Sequence, residues 1–353
     1  MNDNGTWLIY GAYGYTGALL TRYAVAHGHR PILAGRHAGK LEALAAAHGG
    51  LETRPFDLSN RETIDTALEG VTVVAHCAGP FQRTCAPMMK ACLRMGTHYL
   101  DITGEVDVFE LCAAADKRAK AAGVMVMPGA GFDVVPSDCL AAHVNSRLPE
   151  ASHLTLAFMT TGRPSHGTAT TIAENLPRGL VVREEGKLAR KPAGWKQRTI
   201  DFGEGPVKTI TIPWGDVSTA YRSTGIPNIA VYMAAPYALR LFTRASRHMK
   251  KLLASGRVQR FLKRRIDAAP PGPSDEQRAK QYAKLWGEAV DENGHRVVSR
   301  LHTPDTYTVT VLTTLSAVEK VLAGNAPPGY QTPATAYGAD FILEIEGCER
   351  EDL

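Results

Sequence analysis

Three glycines spaced three residues apart follow the first apolar run of the chain, TWLIYGAYGYTGALL over residues 6–20. Gly11 allows a tight turn, Gly14 lets a ligand approach the backbone, and Gly17 lets the next helix pack closely. Turns of every kind collect glycine, so the triplet alone is weak evidence. Its position between a predicted strand and a helix predicted over residues 15–27 favours a dinucleotide-binding turn. Its candidate cofactor residues are Gly11, Tyr13, Gly14, Tyr15, Thr16 and Gly17.

The first third of the chain alternates between short apolar runs and segments of helical periodicity. Strands are predicted within residues 6–11, 30–36, 51–58, 71–80, 97–104 and 124–131. Parallel strands need long crossover connections and are buried on both faces. The alternation therefore predicts an α/β fold with a Rossmann-type, doubly wound parallel sheet.

The end of the second predicted strand, AGRHAGK, indicates which dinucleotide binds. NAD-binding domains place an acidic residue here for the ribose 2′-hydroxyl, whereas this chain has Arg36, with Lys40 shortly after. A guanidinium attracts a 2′-phosphate, so the sequence favours NADP(H), although Arg36 could also be a solvated loop residue. Asp57 and Leu58 end the third strand, where they would flank the adenine; Asp57 could instead cap a helix.

Three later strand ends supply the remaining candidates, because ligands of doubly wound sheets lie across the carboxyl ends of the strands. Phe81 would either wall the nicotinamide pocket or fill the core. Glu105 and Asp133 are the candidate catalytic groups, and Glu105 would also suit the first turn of a helix. The candidate cofactor residues at these ends are Ala78, Gly79, Pro80, Phe81, Thr103 and Gly104.

Composition and motif searches narrow the classes of protein. The six cysteines form no CxxC pair, which indicates free thiols in a reducing cytoplasm, and the polar start MNDNGT does not resemble a signal peptide. The twelve histidines show neither HxH nor HExxH, so we expect no metal site. No tyrosine is followed four residues later by lysine, which excludes the YxxxK pair of short-chain dehydrogenases. We expect no nucleic-acid partner.

Residues 237–265 hold ten Lys and Arg and no Asp or Glu, although the whole chain carries a net charge of only +5. Apolar residues recur there every three or four positions, which predicts an amphipathic helix, or two helices broken near Gly256. The cationic face would lie in water, against an anionic membrane surface, or against an acidic carrier domain.

Motifs along nearly the whole chain resemble those of the saccharopine dehydrogenase-like oxidoreductases, and most closely the branch with the trans-acting enoyl reductases. They occur in order as GAYGYTG, AGR, AGPFQ, GTHYLDITGE, GAGFDVVPSD, PPGPSDEQR and GYQTPATAYGADFIL. The resemblance implies bound NADP(H) and a second α/β domain, with a mostly antiparallel sheet, for substrate binding and homodimer formation. It also implies that the carboxyl-terminal segment packs back on the first domain. We place the domains at residues 1–150, 151–325 and 326–353.

The resemblance favours an NADPH-dependent reductase of the C=C bond in an enoyl or polyketide-type acyl substrate, free or carrier-bound, in lipid or polyketide metabolism. One alternative is a saccharopine-type reductase or dehydrogenase acting on a secondary amine. Such a substrate carries several carboxylates, which could be bound by Arg163, Arg178 and Arg222. Another is a non-catalytic NADPH-binding partner that regulates a second enzyme.

Overall fold

A computed structural model describes residues 5–162, 165–167, 169–170, 179–192, 194–237 and 255–353. The chain forms two compact units, the first made of residues 1–135 and 307–336 and the second of residues 136–306 and 337–353. Among the described residues, no helix combines the length and the apolar character that crossing a lipid bilayer requires.

The first unit contains a seven-stranded, wholly parallel sheet. Its strands are β1 (Thr6–Tyr10), β2 (Ile32–Gly35), β3 (Thr53–Pro55), β4 (Val71–His76), β5 (His98–Asp101), β6 (Met125–Met127) and β15 (Gly329–Tyr330). Its helices are α1 (Tyr15–Ala26), α2 (Ala38–Ala47), α3 (Arg61–Ala67), α4 (Phe81–Met95), α5 (Val106–Ala114), α6 (Asp116–Ala121), α11 (Thr306–Leu322) and α12 (Pro333–Tyr337).

The strand order is 15-6-5-4-1-2-3, and six of the seven strands follow the doubly wound order of a dinucleotide-binding sheet. The central strands are apolar and buried on both faces, as helices on both sides require. The order reverses between β1 and β4, so the crossovers leave these two strand ends in opposite directions. Their carboxyl ends are therefore where this sheet can admit a ligand.

The unit boundaries differ from those predicted at residues 150 and 325. Residues 136–147 of helix α7 (Val135–Arg147) belong to the second unit, where Leu140 packs so closely that a Cβ on Gly287 would lie 3.0 Å from its Cγ. Helix α11, except its first residue, belongs to the first unit instead. Of the predicted returning segment, residues 326–336 join the first unit, because β15 extends the parallel sheet beside β6, and residues 337–353 join the second.

The second unit contains a nine-stranded mixed sheet. Among the strand pairs that the structure describes there, only β12–β7 is parallel, in agreement with the predicted mostly antiparallel sheet. Its strands are β7 (His153–Thr160), β8 (Leu180–Glu184), β9 (Lys187–Lys191), β10 (Gln197–Asp201), β11 (Pro206–Thr211), β12 (Asn228–Ala234), β13 (Tyr282–Val290), β14 (Arg296–Pro304) and β16 (Glu349–Asp352). Its other helices are α8 (Asp216–Thr224), α9 (Gly256–Asp267), α10 (Asp275–Arg278) and a 3₁₀ turn at Phe341–Glu344. Residues 238–254 of the predicted basic helix lie outside the described residues.

The β10–β11 hairpin folds back over strands that are not its neighbours in the sheet. Arg198 on β10 donates two hydrogen bonds, of 2.6 and 2.9 Å, to the buried Glu288 carboxylate on β13, and its guanidinium lies 4.8 Å from the Trp286 ring. At the hairpin end, Lys284 lies 2.7 Å from Glu204. Side-chain contacts therefore close this face of the sheet where backbone pairing does not.

Replacing Arg198 with Ala should lower the free energy of unfolding by about 2 kcal/mol, because Glu288 would remain buried with a weakened ion pair. The effect is limited because Arg296 also lies 3.0 Å from Glu288. Arg296 is largely exposed, so Arg296→Ala should cost less than about 1 kcal/mol. Urea unfolding followed by tryptophan fluorescence measures both changes. Equal losses for the two variants would contradict this account of the hairpin.

Candidate functional site

The glycine turn after β1 is shaped by close contacts with its neighbours. Gly11 has a φ of +85°, and a Cβ at this position would lie 2.8 Å from the Cβ of Ala78. A Cβ on Gly17 would lie 2.3 Å from the carbonyl oxygen of Gly11. The chain thus needs glycine at both positions for packing. Gly14 meets only one such contact, at 3.2 Å, so it is the least constrained of the three.

The first turn of helix α1 suits an anionic group. Gly14 is its N-cap, no side chain caps it, and no acidic residue lies in its first turn. Its N–H groups and dipole therefore present positive potential next to the strand end. Thr16 is half-buried in this turn, and the Tyr15 ring packs edge-on against Tyr307 of α11 at 5.0 Å.

Tyr13 joins the glycine turn to the end of β2. Its ring covers Gly35, where a Cβ would lie 2.7 Å from Cε1, and its hydroxyl oxygen accepts the N–H of Arg36 at 3.3 Å. The Lys40 ammonium lies 5.5 Å from the centre of the same ring. The side chains of Arg36 and Lys40 are exposed. Arg36, Lys40 and Tyr13 are thus at the strand end where a 2′-phosphate would lie, which fits NADP(H).

Asp57 lies near this cationic corner and does not cap a helix. Its Oδ1 accepts the N–H of Ser59 at 2.7 Å. Hydrogen bonds from the side chain and the backbone of Ser59, together with the charge of Arg36, lower the pKa of the Asp57 carboxyl. Asn60 caps helix α3 instead, accepting the N–H of Thr63 at 3.3 Å. Leu58 is half-buried against the core, so this pair can flank an adenine ring.

The turn from Ala78 to Phe81 connects β4 to α4 and is held by Glu105. The two carboxylate oxygens of Glu105 accept the N–H groups of Phe81 and Gln82, at 3.0 and 3.1 Å. Glu105 is only 5 % exposed, so the carboxylate acts as a buried cap on the first turn of α4. Gly79 is exposed, Pro80 is half-buried, and Phe81 is buried in the core.

A second buried carboxylate, Asp101, was not predicted from the sequence. Its Oδ1 accepts the N–H groups of Thr103 and Gly129, each at 3.0 Å, and its Oδ2 accepts the hydroxyl of Tyr99 at 2.7 Å. Burial raises its pKa to about 6 although these bonds favour the ionised form. Asp101 thus ties the end of β5 to the loop after β6. An aspartate two residues before the predicted cofactor residue Thr103 was the available signal.

Asp133, the other candidate catalytic group, lies directly over Gly104. A Cβ on Gly104 would approach Asp133 Oδ2 to 2.7 Å. The carboxyl is half-buried and makes no hydrogen bond within the described part of the chain. Burial, and secondarily the charge of Glu105, raises its pKa to about 7. At neutral pH this carboxyl therefore exists in both protonation states, as a general acid requires.

Threonines of helix α11 fix the loop that carries Asp133. The N–H of Phe132 donates to Thr310 Oγ1 at 3.0 Å. The hydroxyls of Thr313 and Thr314 donate to the Ala130 carbonyl at 2.8 and 3.2 Å. These residues are distant in sequence from the strand ends, and the β-branched run TYTVTV gives no sign of this role. The structure thus brings the ends of β1, β4, β5 and β6 together and adds α11.

Comparisons with known proteins agree with this site. A family model described as the saccharopine dehydrogenase NADP binding domain matches residues 7–127. The "Saccharopine dehydrogenase-like oxidoreductase" of Homo sapiens is 27% identical over 221 residues, which are 56% of this chain and 46% of that protein. The "Trans-acting enoyl reductase" of Mycobacterium ulcerans is 27% identical over 205 residues, 52% of this chain and 48% of that protein.

The matches thus span about half the length of these curated relatives. The fold of the whole chain resembles the solved saccharopine dehydrogenase (L-Glu forming) of Saccharomyces cerevisiae. The TM-score is 0.69 at 12% identity, covering 99% of this chain and 100% of that one. Residues 7–127 therefore match a saccharopine dehydrogenase NADP-binding domain, and the chain is similar to the saccharopine dehydrogenase-like oxidoreductases. The predicted family resemblance, fold and cofactor are confirmed.

Replacing Arg36 with Ala should weaken NADPH binding about 10- to 100-fold, because a charge-assisted hydrogen bond contributes about 1.5–3 kcal/mol. NADH affinity should change little, since NADH lacks the 2′-phosphate. Isothermal titration calorimetry with both coenzymes measures the difference. Arg61→Ala, which removes an exposed arginine from α3, is the matched control. Equal losses for NADPH and NADH would place Arg36 outside the 2′-phosphate site.

Proposed function

We propose that this protein is an NADPH-dependent reductase that saturates a C=C bond conjugated to a carbonyl in an acyl substrate. The observation that carries the proposal is the half-buried Asp133 carboxyl, with its pKa near 7, at the carboxyl edge of an NADP-binding sheet. The related trans-acting enoyl reductase of Mycobacterium ulcerans supports this choice of substrate bond.

When bound, the cofactor supplies the hydride, and the chain supplies binding, orientation and a proton. The first turn of α1 would hold the diphosphate, and Arg36 with Lys40 would bind the 2′-phosphate. The nicotinamide ribose would lie against the turn from Ala78 to Phe81 and against Thr103 and Gly104. These small or backbone-presenting residues let the reacting ring lie close to the strand ends.

Asp133 is the proposed proton donor. Reduction of a conjugated C=C bond places negative charge on the carbonyl side as an enolate, which then needs a proton. A carboxyl with a pKa near 7 donates this proton more readily than a group with a much higher pKa. Because no protein hydrogen bond engages this carboxyl among the described residues, its proton can be directed at a ligand.

Glu105 is the second predicted catalytic residue, and we propose a positioning role for it. Both of its oxygens accept backbone N–H groups at the start of α4, so each oxygen already has a protein donor. Its charge also raises the pKa of Asp133. Glu105 therefore acts through the turn beside the nicotinamide and through Asp133.

The two alternative functions, a secondary-amine reductase or dehydrogenase and a non-catalytic regulatory partner, require different features of the chain. A secondary-amine substrate with several carboxylates needs inward-facing arginines; Arg222 is exposed, and Arg163 and Arg178 lie outside the described residues. A non-catalytic regulatory partner would bind NADPH without any substrate-dependent turnover. Carrier-bound substrate, homodimer formation and a cytoplasmic location remain predictions.

Oxidation of NADPH should be stimulated by α,β-unsaturated acyl thioesters and not by mixtures of a 2-oxo acid and an amino acid that form imines. The assay follows absorbance of the reduced nicotinamide, and mass spectrometry identifies the saturated product. Turnover only with imine-forming mixtures would instead assign the amine reaction. Tight NADPH binding without turnover on either panel would indicate the regulatory alternative.

Replacing Asp133 with Asn should lower kcat about 10²- to 10⁴-fold with little change in the Kd for NADPH, because a positioned general acid contributes that much. In the wild type, kcat/KM should be flat at low pH and fall above about pH 7, because at pH values above its pKa the Asp133 carboxyl is ionised and has no proton to donate. Glu105→Gln is the contrasting variant. It should weaken NADPH binding, since an amide NH₂ cannot accept the N–H of Gln82. A pH profile unchanged by Asp133→Asn would contradict the proton-donor role.

A further inference from the structure

Helix α9 (Gly256–Asp267) carries positive charge that the described part of the chain does not neutralise. Its cationic residues are Arg257, Arg260, Lys263, Arg264 and Arg265, and all five are exposed. None of them forms an ion pair with any residue that the structure describes. Five cations within nine residues repel one another, so the helix favours an anionic partner.

An apolar ring lies among these cations. Phe261 is 59% exposed, which is unusual for a large aromatic residue that has no partner to cover it. Arg257 and Arg265 lie one turn before and one turn after it, and the Arg265 guanidinium carbon is 5.7 Å from the ring centre. Val258, three residues before it, and Ile266 are half-buried. The helix therefore carries half-buried apolar residues as well as the exposed ring of Phe261.

The helix is anchored at its start. Ser255 is the N-cap, and its Oγ accepts the N–H of Val258 at 3.4 Å. Its first turn has no acidic residue. The cap stabilises the helix, and the helix holds Phe261 one turn from Arg257 and Arg265, which an unstructured basic tail would not do.

We infer that α9 docks on an anionic phospholipid surface. An exposed aromatic ring flanked by arginines matches the boundary between headgroups and acyl chains, where the ring enters the apolar layer and the guanidinium groups meet phosphates. A soluble acidic protein that bound by charge alone would leave the Phe261 ring in water. This inference does not depend on the proposed reductase activity.

Co-sedimentation of the full-length protein with phosphatidylcholine vesicles, with and without phosphatidylserine, tests the inference. The wild type should pellet with the anionic vesicles at low salt, pellet less at high salt, and stay in solution with phosphatidylcholine alone. Failure to pellet with anionic vesicles at low salt, or equal pelleting with both vesicle types, would overturn the inference.

Two variants locate the contact. The triple variant R257Q/R260Q/R264Q should lower the partition coefficient on the order of 100-fold, because each cation near an anionic surface contributes about 1 kcal/mol. Phe261→Ser should weaken binding and leave its salt dependence intact. Controls elsewhere remove the same charge, in K117Q/R118Q/K187Q, or another exposed apolar side chain, in Leu188→Ser. Circular dichroism verifies that all four variants fold.

Controls that bind as weakly as the α9 variants would overturn the inference. So would wild-type protein that ignores the vesicles and binds a purified acidic acyl carrier protein through α9, since the helix would then serve a protein partner. NADPH oxidation by the α9 variants in solution should equal that of the wild type. This readout separates failure of the lipid inference from failure of the proposed function.

Discussion

The close approach of Gly11 to Ala78 is the contact on which the site depends. These two residues follow the strands between which the sheet order reverses, and a side chain at position 11 would push them apart. With them apart, the start of helix α1 and the turn into α4 would no longer lie along one edge. The absence of a single Cβ thus allows the candidate diphosphate site and the candidate nicotinamide site to adjoin.

Buried carboxylates then hold the loops at this edge. Glu105 binds the N–H groups that open α4, and Asp101 binds those of Thr103 and Gly129. In both cases a charged group replaces water as the partner of backbone donors, so the loops have one preferred arrangement. Asp133 differs from these two carboxylates because it makes no hydrogen bond with any of the described residues. Its raised pKa follows from burial without compensation and from the negative charge of Glu105.

The second unit shows a different way to close a surface. Its β10–β11 hairpin returns over β13, and Arg198 pairs with Glu288 above Trp286. Apolar patterns over residues 154–161, 207–214, 228–234 and 296–302, several of them alternating, predict strands, and the structure has β7, β11, β12 and β14 there. Their alternating patterns identified the strands but contained no information on which distant strand the hairpin would cover.

The amino-acid sequence by itself determined the parallel sheet, the glycine turn and the cationic end of β2, because each depends on residues close together in the chain. It also showed the family resemblance, because the motifs that carry it are short and occur in order. The tertiary structure decided the roles that depend on distant partners. Glu105 binds the N–H groups at the start of α4, and Asn60 rather than Asp57 caps α3. The threonines of α11 hydrogen-bond to the loop that carries Asp133. The unit boundaries were also decided there, since α7 and α11 each pack against elements far away in sequence. A local pattern specifies an element and its exposed face, whereas burial and hydrogen-bond partners are set only when distant segments meet.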